Sequence, residues 1–515
     1  MSDISLQTWG LSLGLAGGLI LVHRLWSGSR SQLPLPPGPK KLPILGNLLD
    51  IPSKDPWETY AKWAKDYGSD VLHISIAGQS MILLSSLKAT QDLLDKRSST
   101  YSDRQMNEGS PMLALCGWDF AFVLWKYGEP WRTHRRMMKE GFGSPQAVVK
   151  YQPKQVLAAH RLLYRLLHTP QDFYSHFAYW GGDNALSAIY GIDVQPTNDP
   201  FVEKALHGVD SFAVAGSPGA FLVDALPFLR FVPEWFPGAG FQKTAREIKA
   251  MVTEMKDKPF AETKRRISNG TASSSFATDC LESAKERDYT EKMVSDAAAT
   301  IMLGGTETTV STMASLLLAM MANPEAQRKA QAEIDAVVGK DSLPTFEHES
   351  ELPYVAAVLK EMLRWNPAGP IALPHYTEQE DNYNGYRIPA KSMILGNSWG
   401  ILHDEKTYPD PFSFKPERWL TADGKLNPNA VDPDIGFGYG RRECPGRHFA
   451  KTLLWVATAS ILAAFTVEKA RDENGNVIEP TYEYNSGIIN SPLPFKCSIK
   501  PRSQAIERTI RSFDS

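Results

Sequence analysis

Cysteine is scarce in this chain, which has four cysteines among 515 residues. So few cysteines cannot form a disulfide framework, and most of the chain is therefore expected in a reducing compartment. An excess of one charge is also missing, because 55 Lys and Arg face 58 Asp and Glu for a net charge of −3. This balance excludes the basic surface on which nucleic-acid binding depends. A content of 43% hydrophobic and 22% charged residues excludes extensive disorder and fibrous classes.

The first thirty residues predict a membrane anchor. Residues 11–22 carry no charge, and residues 8–26 are just long enough to cross a bilayer as one helix. A basic n-region and a small-residue cleavage site are missing, which disfavours a cleaved signal peptide. The basic residues that follow, from His23 to Lys41, predict a cytoplasmic body. Four prolines then predict a rigid hinge over residues 31–45.

The body is predicted to be mainly helical with a small β portion. Alternation over residues 70–84 predicts a β-hairpin. Residues 290–322 contain no proline, which predicts one central helix about 50 Å long. A helix is predicted over 155–167, with one apolar stripe through Val156, Leu157, His160, Leu163, Tyr164 and Leu167. Further short strands and helices are expected at 386–388, 392–395, 495–499, 350–365 and 446–465.

The most informative segment is 437–446, a glycine-rich loop that contains Cys444. Its glycines let the backbone run close against a flat partner. Cys444 precedes an apolar helix, whose N-terminus should favour the thiolate together with the nearby Arg442. A buried structural cysteine, or a nucleophilic cysteine with His448 as its base, remains an alternative at this point.

This segment resembles the haem-binding signature of the cytochrome P450 family, Phe-x-x-Gly-x-Arg-x-Cys-x-Gly. The resemblance implies that Cys444 is the axial thiolate ligand of the iron in haem b. It also implies a P450 fold in which the long central helix lies over the haem, with residues 46–515 as the catalytic domain. The fixed positions all match, at Phe437, Gly440, Arg442, Cys444 and Gly446.

Trp131 and Arg135 resemble the family's Trp-x-x-x-Arg helix. A spacing of four residues places both side chains on one helix face. The indole N–H and the guanidinium can each donate a hydrogen bond to a haem propionate. The resemblance adds Arg442 and His375 as further propionate donors.

Glu361 and Arg364 match the family's Glu-x-x-Arg pair. Arg418 belongs to a Pro-Glu-Arg-Trp segment that resembles the family's Pro-Glu-Arg-Phe element, with Trp419 in place of Phe. By this resemblance Arg418 completes a buried network with Glu361 and Arg364, which locks the core behind the haem.

Residues 304–308, Gly-Gly-Thr-Glu-Thr, resemble the family's oxygen-binding segment. Two adjacent glycines cost about 2 kcal/mol in a helix interior, which favours either a functional bulge or close helix packing. The resemblance implies that Thr308 and Glu307 supply protons to dioxygen.

The resemblance extends to microsomal members and to fungal members of secondary metabolism. It implies a haem-dependent monooxygenase in the endoplasmic reticulum membrane, reduced by NADPH through a reductase, with cytochrome b5 as an optional donor. The expected substrate is a lipophilic terpenoid, polyketide or aromatic alkaloid. A haem-thiolate isomerase or dehydratase that works without reductase is the alternative. Aromatic residues of segment 217–240 are expected either in the membrane or in the core, namely Phe221, Phe228, Phe231, Trp235 and Phe236.

Overall fold

The computed structural model describes residues 33–76, 78–105, 110–195, 197–216 and 220–514. In these residues the α-helices are α1 (Pro56–Asp66), α2 (Leu87–Thr90), α3 (Ser98–Tyr101), α4 (Pro111–Leu115), α5 (Glu129–Phe142), α6 (Pro145–Val148), α7 (Gln152–His168), α8 (Phe173–Tyr190), α9 (Pro200–Gly216), α10 (Leu222–Ala225), α11 (Gly240–Ser268), α12 (Phe276–Glu282), α13 (Ala284–Arg287), α14 (Glu291–Gly305), α15 (Glu307–Ala322), α16 (Pro324–Val337), α17 (Pro353–Trp365), α18 (Ser398–Leu402), α19 (Arg447–Ala464) and α20 (Gln504–Arg511).

The strands form small sheets beside the helical body, which confirms the predicted class of a mainly helical protein. They are β1 (Val71–Ile76), β2 (Gln79–Leu84), β3 (His375–Thr377), β4 (Asp381–Tyr383), β5 (Tyr386–Ile388), β6 (Ser392–Gly396), β7 (Phe465–Lys469) and β8 (Cys497–Pro501). The order β1-β2-β6-β3 makes a four-stranded sheet, and β4 pairs with β5 and β7 with β8. The predicted hairpin is confirmed as the antiparallel pair β1–β2, and β2 and β6 are parallel.

Two hydrophobic cores hold the helices together. The first is built mainly from α7, α8, α15, α17 and α19, and the second from α5, α8, α9, α11 and α14. Helix α8 contributes to both cores and packs against α14 and α15. A Cβ added at Gly181 of α8 would lie 3.4 Å from the carbonyl oxygen of Thr306, so α8 passes close to the junction of α14 and α15.

The predicted central helix consists of α14 and α15, which meet at Thr306, next to the glycine pair where a bulge was one of the two expectations. This residue has φ −93° and ψ −70°, about 30° from the ideal values of an α-helix in each angle. The hydroxyls of Thr308 and Thr309 donate to the carbonyls of Gly304 and Gly305, at 2.9 and 2.8 Å. Threonine hydroxyls that bond to carbonyls four residues earlier bend a helix, and the adjacent glycines add conformational freedom.

Helix α7 covers the predicted residues, and its most buried face overlaps the predicted stripe only in part. Its buried residues are Gln155, Ala158, Ala159, Leu162, Leu163 and Leu166. Leu157, on the predicted stripe, is 49% exposed. The predicted stripe lies at the edge of this face, with Leu163 buried and Val156, Tyr164 and Leu167 packed against the first core. Its centre is displaced because α8 and α19 pack against the side of α7 that carries the small residues Ala158 and Ala159. Helices α17 and α19 begin slightly later than predicted, at Pro353 and Arg447.

The described part of the hinge is bound to the body. The N–H of Arg387 donates to the carbonyl of Pro34 at 2.8 Å, and the N–H of His73 donates to Pro37 at 2.9 Å. The predicted anchor over residues 8–26 lies outside the described residues. Among the helices described from residue 33 onward, none is long and apolar enough to span a membrane.

Candidate active site

Cys444 lies in a tight loop that leads into α19. Its N–H donates to the carbonyl of Phe437 at 2.6 Å, which closes the loop. Gly440 has a φ of +53°, and a Cβ there would lie 2.1 Å from the carbonyl oxygen of Leu94. A larger residue at this position would be strained and would clash. Gly446 is the N-cap residue of α19.

The thiol of Cys444 is surrounded by groups with opposing effects. Burial raises its pKa, whereas the Gly446 N–H and the guanidinium groups of Arg135 and Arg447 lower it. The balance raises the pKa of the thiol, because desolvation outweighs the helix N-terminus and the two guanidinium groups. A thiolate here needs a further positive charge, which a metal centre would supply.

Arg442 lies over the indole of Trp131, with the guanidinium carbon 4.4 Å from the ring centroid. Its Nε donates to the carbonyl of Ser102 at 2.7 Å and its Nη2 donates to Trp125 at 2.8 Å. Burial lowers the pKa of Arg442 to about 10. Trp131 is 4% exposed on α5, one turn before Arg135, and burial lowers the pKa of Arg135 as well.

Arg104 joins this group, although no sequence pattern singled it out. It is 3% exposed, and its Nη1 donates to the carbonyls of Leu373 and Pro374. The next residue, His375, donates from Nδ1 to the carbonyl of Tyr101 at 2.7 Å. Burial and the charge of Arg104 hold the pKa of His375 well below its ordinary value. In the neutral ring Nε2 therefore carries no proton. It would donate a hydrogen bond to a carboxylate only after the ring is protonated.

The basic cluster of Arg104, Arg442 and His375 fits a bound group that carries carboxylates. The Nε of Arg104 and the Nη1 of Arg442 are buried and have no hydrogen-bond partner among the described residues. Burial lowers the pKa of both arginines, and Asp103 offsets this only in part; its Oδ1 already accepts from the backbone N–H groups of Arg104 and Tyr127. A buried cationic donor costs folding free energy unless an anion pairs with it and accepts its hydrogen bonds. Haem propionates are such anions.

The junction of α14 and α15 borders an open space. Gly304 is exposed between the buried Leu303 and the half-buried Gly305, although it lies in a helix that is otherwise nearly covered. A Cβ at Gly304 or Gly305 would meet no atom within 4 Å. Thr308 and Glu307 are half-buried beside this space. Burial, together with the carboxylate of Asp210 on α9, raises the pKa of Glu307, which makes it a proton carrier nearer neutrality.

The structure brings Glu361, Arg364 and Arg418 together. Glu361 is fully buried and accepts from Nε and Nη2 of Arg364, each at 2.9 Å, and from Nε of Arg418 at 3.0 Å. Trp419 also donates its indole N–H to Glu361, at 3.0 Å, and Lys415 donates its backbone N–H at 2.8 Å. The sequence analysis did not include Trp419 in this network. The one feature that could have indicated it is that Trp, unlike Phe, carries an N–H hydrogen-bond donor.

Comparison with known proteins gives a consistent match over most of the chain. The family described as Cytochrome P450 matches residues 36–499. Cytochrome P450 monooxygenase 98 of Postia placenta is 40% identical over 96% of this chain and 96% of its own length. Cytochrome P450 monooxygenase claR of Ampulloclitocybe clavipes is 41% identical over 96% and 92%. Tryptamine 4-monooxygenase of Psilocybe cyanescens is 37% identical over 92% and 94%.

Proposed function

The chain belongs to the cytochrome P450 family and is a monooxygenase, and from that premise we propose that it oxidises a lipophilic small molecule of fungal secondary metabolism. The substrate would be a terpenoid, a polyketide or an aromatic alkaloid, and the product would carry one oxygen atom from dioxygen. The observation that carries the proposal is the open space beside Gly304, bordered by a hydroxyl and a carboxyl of raised pKa.

Haem b is the proposed cofactor, and Cys444 would hold its iron through the sulfur. When bound, the haem supplies the activation of dioxygen, and the thiolate favours cleavage of the O–O bond. Trp131, Arg135 and Arg442 would hold the propionates, with Arg104 and His375 beside them. Phe437 and Gly446 close the loop that presents the sulfur.

Thr308 and Glu307 are the proposed proton donors of the reaction. The Thr308 hydroxyl lies at the opening, where it donates to the Gly304 carbonyl. It can turn from this carbonyl toward an oxygen in the space, because the break in the helix leaves room beside it. Glu307 is half-buried and has a raised pKa, so it can hold a proton and release it at moderate pH.

Thr308→Ala is expected to lower the product formed per NADPH by about tenfold or more, since positioned proton transfer typically contributes about 100-fold. Hydrogen peroxide should rise correspondingly, while haem content and thermal stability stay unchanged. The measurement is the amount of product and of peroxide formed and of NADPH oxidised in the same reaction. The substrate is first chosen by screening compounds of the three proposed classes for product formation.

Thr309→Ala is the matched control, because Thr309 donates to the Gly305 carbonyl in the same way but is only 5% exposed. We expect this variant to keep the normal ratio of product to NADPH. Equal uncoupling in both variants would contradict a specific role for Thr308. An activity that consumes no NADPH would instead favour the isomerase or dehydratase.

Electrons are proposed to come from NADPH through NADPH-cytochrome reductase, with cytochrome b5 as an optional second donor. Exposed cations on α5, Arg132 and Arg136, provide a surface for an acidic partner close to Trp131. Electrostatic attraction of this kind accelerates association at low salt.

A single-pass anchor over residues 8–26 is proposed to hold the catalytic domain, 46–515, on the cytoplasmic side of the endoplasmic reticulum. The 217–240 segment supports a second contact with lipid, because Phe231 and Trp235 are 75% and 80% exposed. Phe221, by contrast, packs against the second core. Exposed aromatic residues of this kind favour the interface between lipid and water.

Deletion of residues 1–30 is expected to release part of the protein from microsomes, and Phe231→Ser with Trp235→Ser should release most of the rest. The measurement is the fraction in the supernatant after high-speed centrifugation. Phe412→Ser is the control, because Phe412 is 67% exposed on another part of the surface. A body that protease cannot digest in intact microsomes would contradict the cytoplasmic orientation.

A further inference from the structure

Tyr101 connects two distant segments of the chain through two different groups. It ends the short helix α3, and its ring is fully buried in an apolar cluster built on β1, β2 and β6. The phenol O–H donates to Oδ2 of Asp381, at the start of β4, at 2.8 Å. The backbone carbonyl of the same residue accepts from Nδ1 of His375 at 2.7 Å. Tyr101 therefore links the carboxylate of Asp381 to a member of the basic cluster.

The residues that follow this tyrosine contact or supply the rest of the basic cluster. The carbonyl of Ser102 accepts from Nε of Arg442 at 2.7 Å. Two positions later, Arg104 is itself a member of the cluster and is 3% exposed. The segment 101–104 is therefore the piece of backbone against which all three basic side chains are arranged.

The two halves of this segment are anchored differently. The second half is fixed by Asp103, whose carbonyl accepts from the N–H of Tyr376 at 3.0 Å. The first half has less support from its own backbone, because α3 has four residues and its N–H of Tyr101 lies 3.3 Å from the carbonyl of Arg97. A helix this short is not stable by itself. The hydrogen bond from the phenol to Asp381 is therefore the directional contact that orients this half.

Asp381 is a firmly held acceptor. Its Oδ2 also accepts from Nη1 of Arg97 at 2.7 Å, and its Oδ1 accepts from the N–H of Asn382 at 2.7 Å. Burial opposes ionisation of this carboxyl, but the hydrogen bonds from Arg97, Tyr101 and Asn382 outweigh burial and lower its pKa. Asp381 is therefore ionised at neutral pH. An ionised acceptor makes a shorter and stronger hydrogen bond than a neutral one.

We propose that Tyr101 and Asp381 form a positioning pair that orients the carbonyls of residues 101 and 102, and through them the side chains of His375 and Arg442. The carbonyl of Ser102 occupies Nε of Arg442, while Nη1 has no hydrogen-bond partner among the described residues and remains for a propionate. A shift of this carbonyl would turn the guanidinium away from that anion. The inference rests on the proposed haem-dependent function, because the propionates of haem are the anions that the cluster would hold.

Tyr101→Phe is the test, because it removes only the phenol O–H and keeps the ring in its apolar cluster. We expect the variant holoenzyme to transfer haem to apomyoglobin about tenfold faster than the unmodified holoenzyme, since it loses a hydrogen bond to a charged group. The propionate bending bands of its resonance Raman spectrum should shift, because they respond to hydrogen bonds at the propionates. The Soret band of the reduced, CO-bound form should stay unchanged, because Cys444 lies outside the pair.

Tyr354→Phe is the matched control. Tyr354 of α17 is also buried, and its phenol O–H donates at 2.8 Å to Glu417, a carboxylate that also accepts from Lys329 at 2.8 Å. Both variants should lower the urea midpoint of unfolding to a similar extent. Only Tyr101→Phe should change haem transfer and the propionate bands.

Asp381→Asn is the second variant, and it replaces Tyr101→Phe if that protein yields no holoenzyme. Its amide oxygen still accepts from the phenol but carries no charge, so we expect haem transfer at a rate between those of Tyr101→Phe and the unmodified protein.

Equal acceleration of haem transfer in Tyr101→Phe and Tyr354→Phe would overturn the inference, since it would indicate general destabilisation. Propionate bands that stayed in place in Tyr101→Phe would overturn it as well. If the unmodified protein bound no haem, the proposed haem-dependent function would fail instead, so the two failures are distinguishable.

Discussion

Cys444→Ala protein is expected to lose the red-shifted Soret band of its reduced, CO-bound form completely. That band would report a thiolate bound to the haem iron, and Cys444 is the cysteine that the loop from Phe437 presents beside Arg135. Alanine removes the sulfur but keeps the backbone bonds that shape the loop. Monooxygenase activity should fall with the band, since the thiolate favours O–O cleavage. The measurements are the CO difference spectrum and the haem content of the purified protein.

Cys497→Ala is the control for this variant. Cys497 is a half-buried cysteine at the start of β8, and burial raises its pKa to about 12. Replacing it should leave the spectrum and the activity unchanged. A thiolate-type band that survived in Cys444→Ala and disappeared in Cys497→Ala would contradict the assignment of Cys444 as the ligand and would assign Cys497 instead.

Glu361→Ala is expected to lower the free energy of unfolding by about 3–5 kcal/mol, the usual cost of removing one partner of a buried ion pair. Glu361 is fully buried and receives hydrogen bonds from two guanidinium groups and one indole. Without it, Arg364 would remain buried as an unpaired cation. The measurement is urea unfolding followed by circular dichroism. The variant should also lose haem at lower urea concentrations than the unmodified protein.

Two further variants separate this network from ordinary ion pairs. Asp66→Ala removes an exposed carboxylate that pairs with Lys62 on α1, and should cost at most about 1 kcal/mol. Trp419→Phe removes one donor to Glu361 and keeps most of the ring, which should cost about 1 kcal/mol. A loss in Glu361→Ala no larger than in Asp66→Ala would show that the network contributes little to stability.

Local sequence was sufficient for the features that depend on neighbouring residues. The loop of Cys444 was identified because its glycine, arginine and cysteine positions lie within ten residues. Trp131 and Arg135, and Glu361 and Arg364, were paired because a helix brings residues three or four apart onto one face. The hairpin β1–β2 was predicted for the same reason, since alternation and a turn are properties of one short segment.

Other features depend on contacts between distant segments, and only the tertiary structure decided them. The burial of Arg104 against Leu373 follows from packing across the chain, so no local pattern marked it. The buried face of α7 was chosen by α8 and α19. Phe221 and Trp235 look alike in sequence, but one packs in the core and the other is exposed.

The same division explains the chemistry of the site. Sequence alone identified Cys444, Thr308 and Glu307 as candidates, because each stands in a short pattern of defined spacing. Their environments came from the fold: burial raises the pKa of Cys444, and burial together with Asp210, from a different helix, raises that of Glu307. Residue type and local spacing are encoded within a few turns of chain. Desolvation and electrostatic fields are sums over everything that packs around a group, and those sums exist only after the chain has folded.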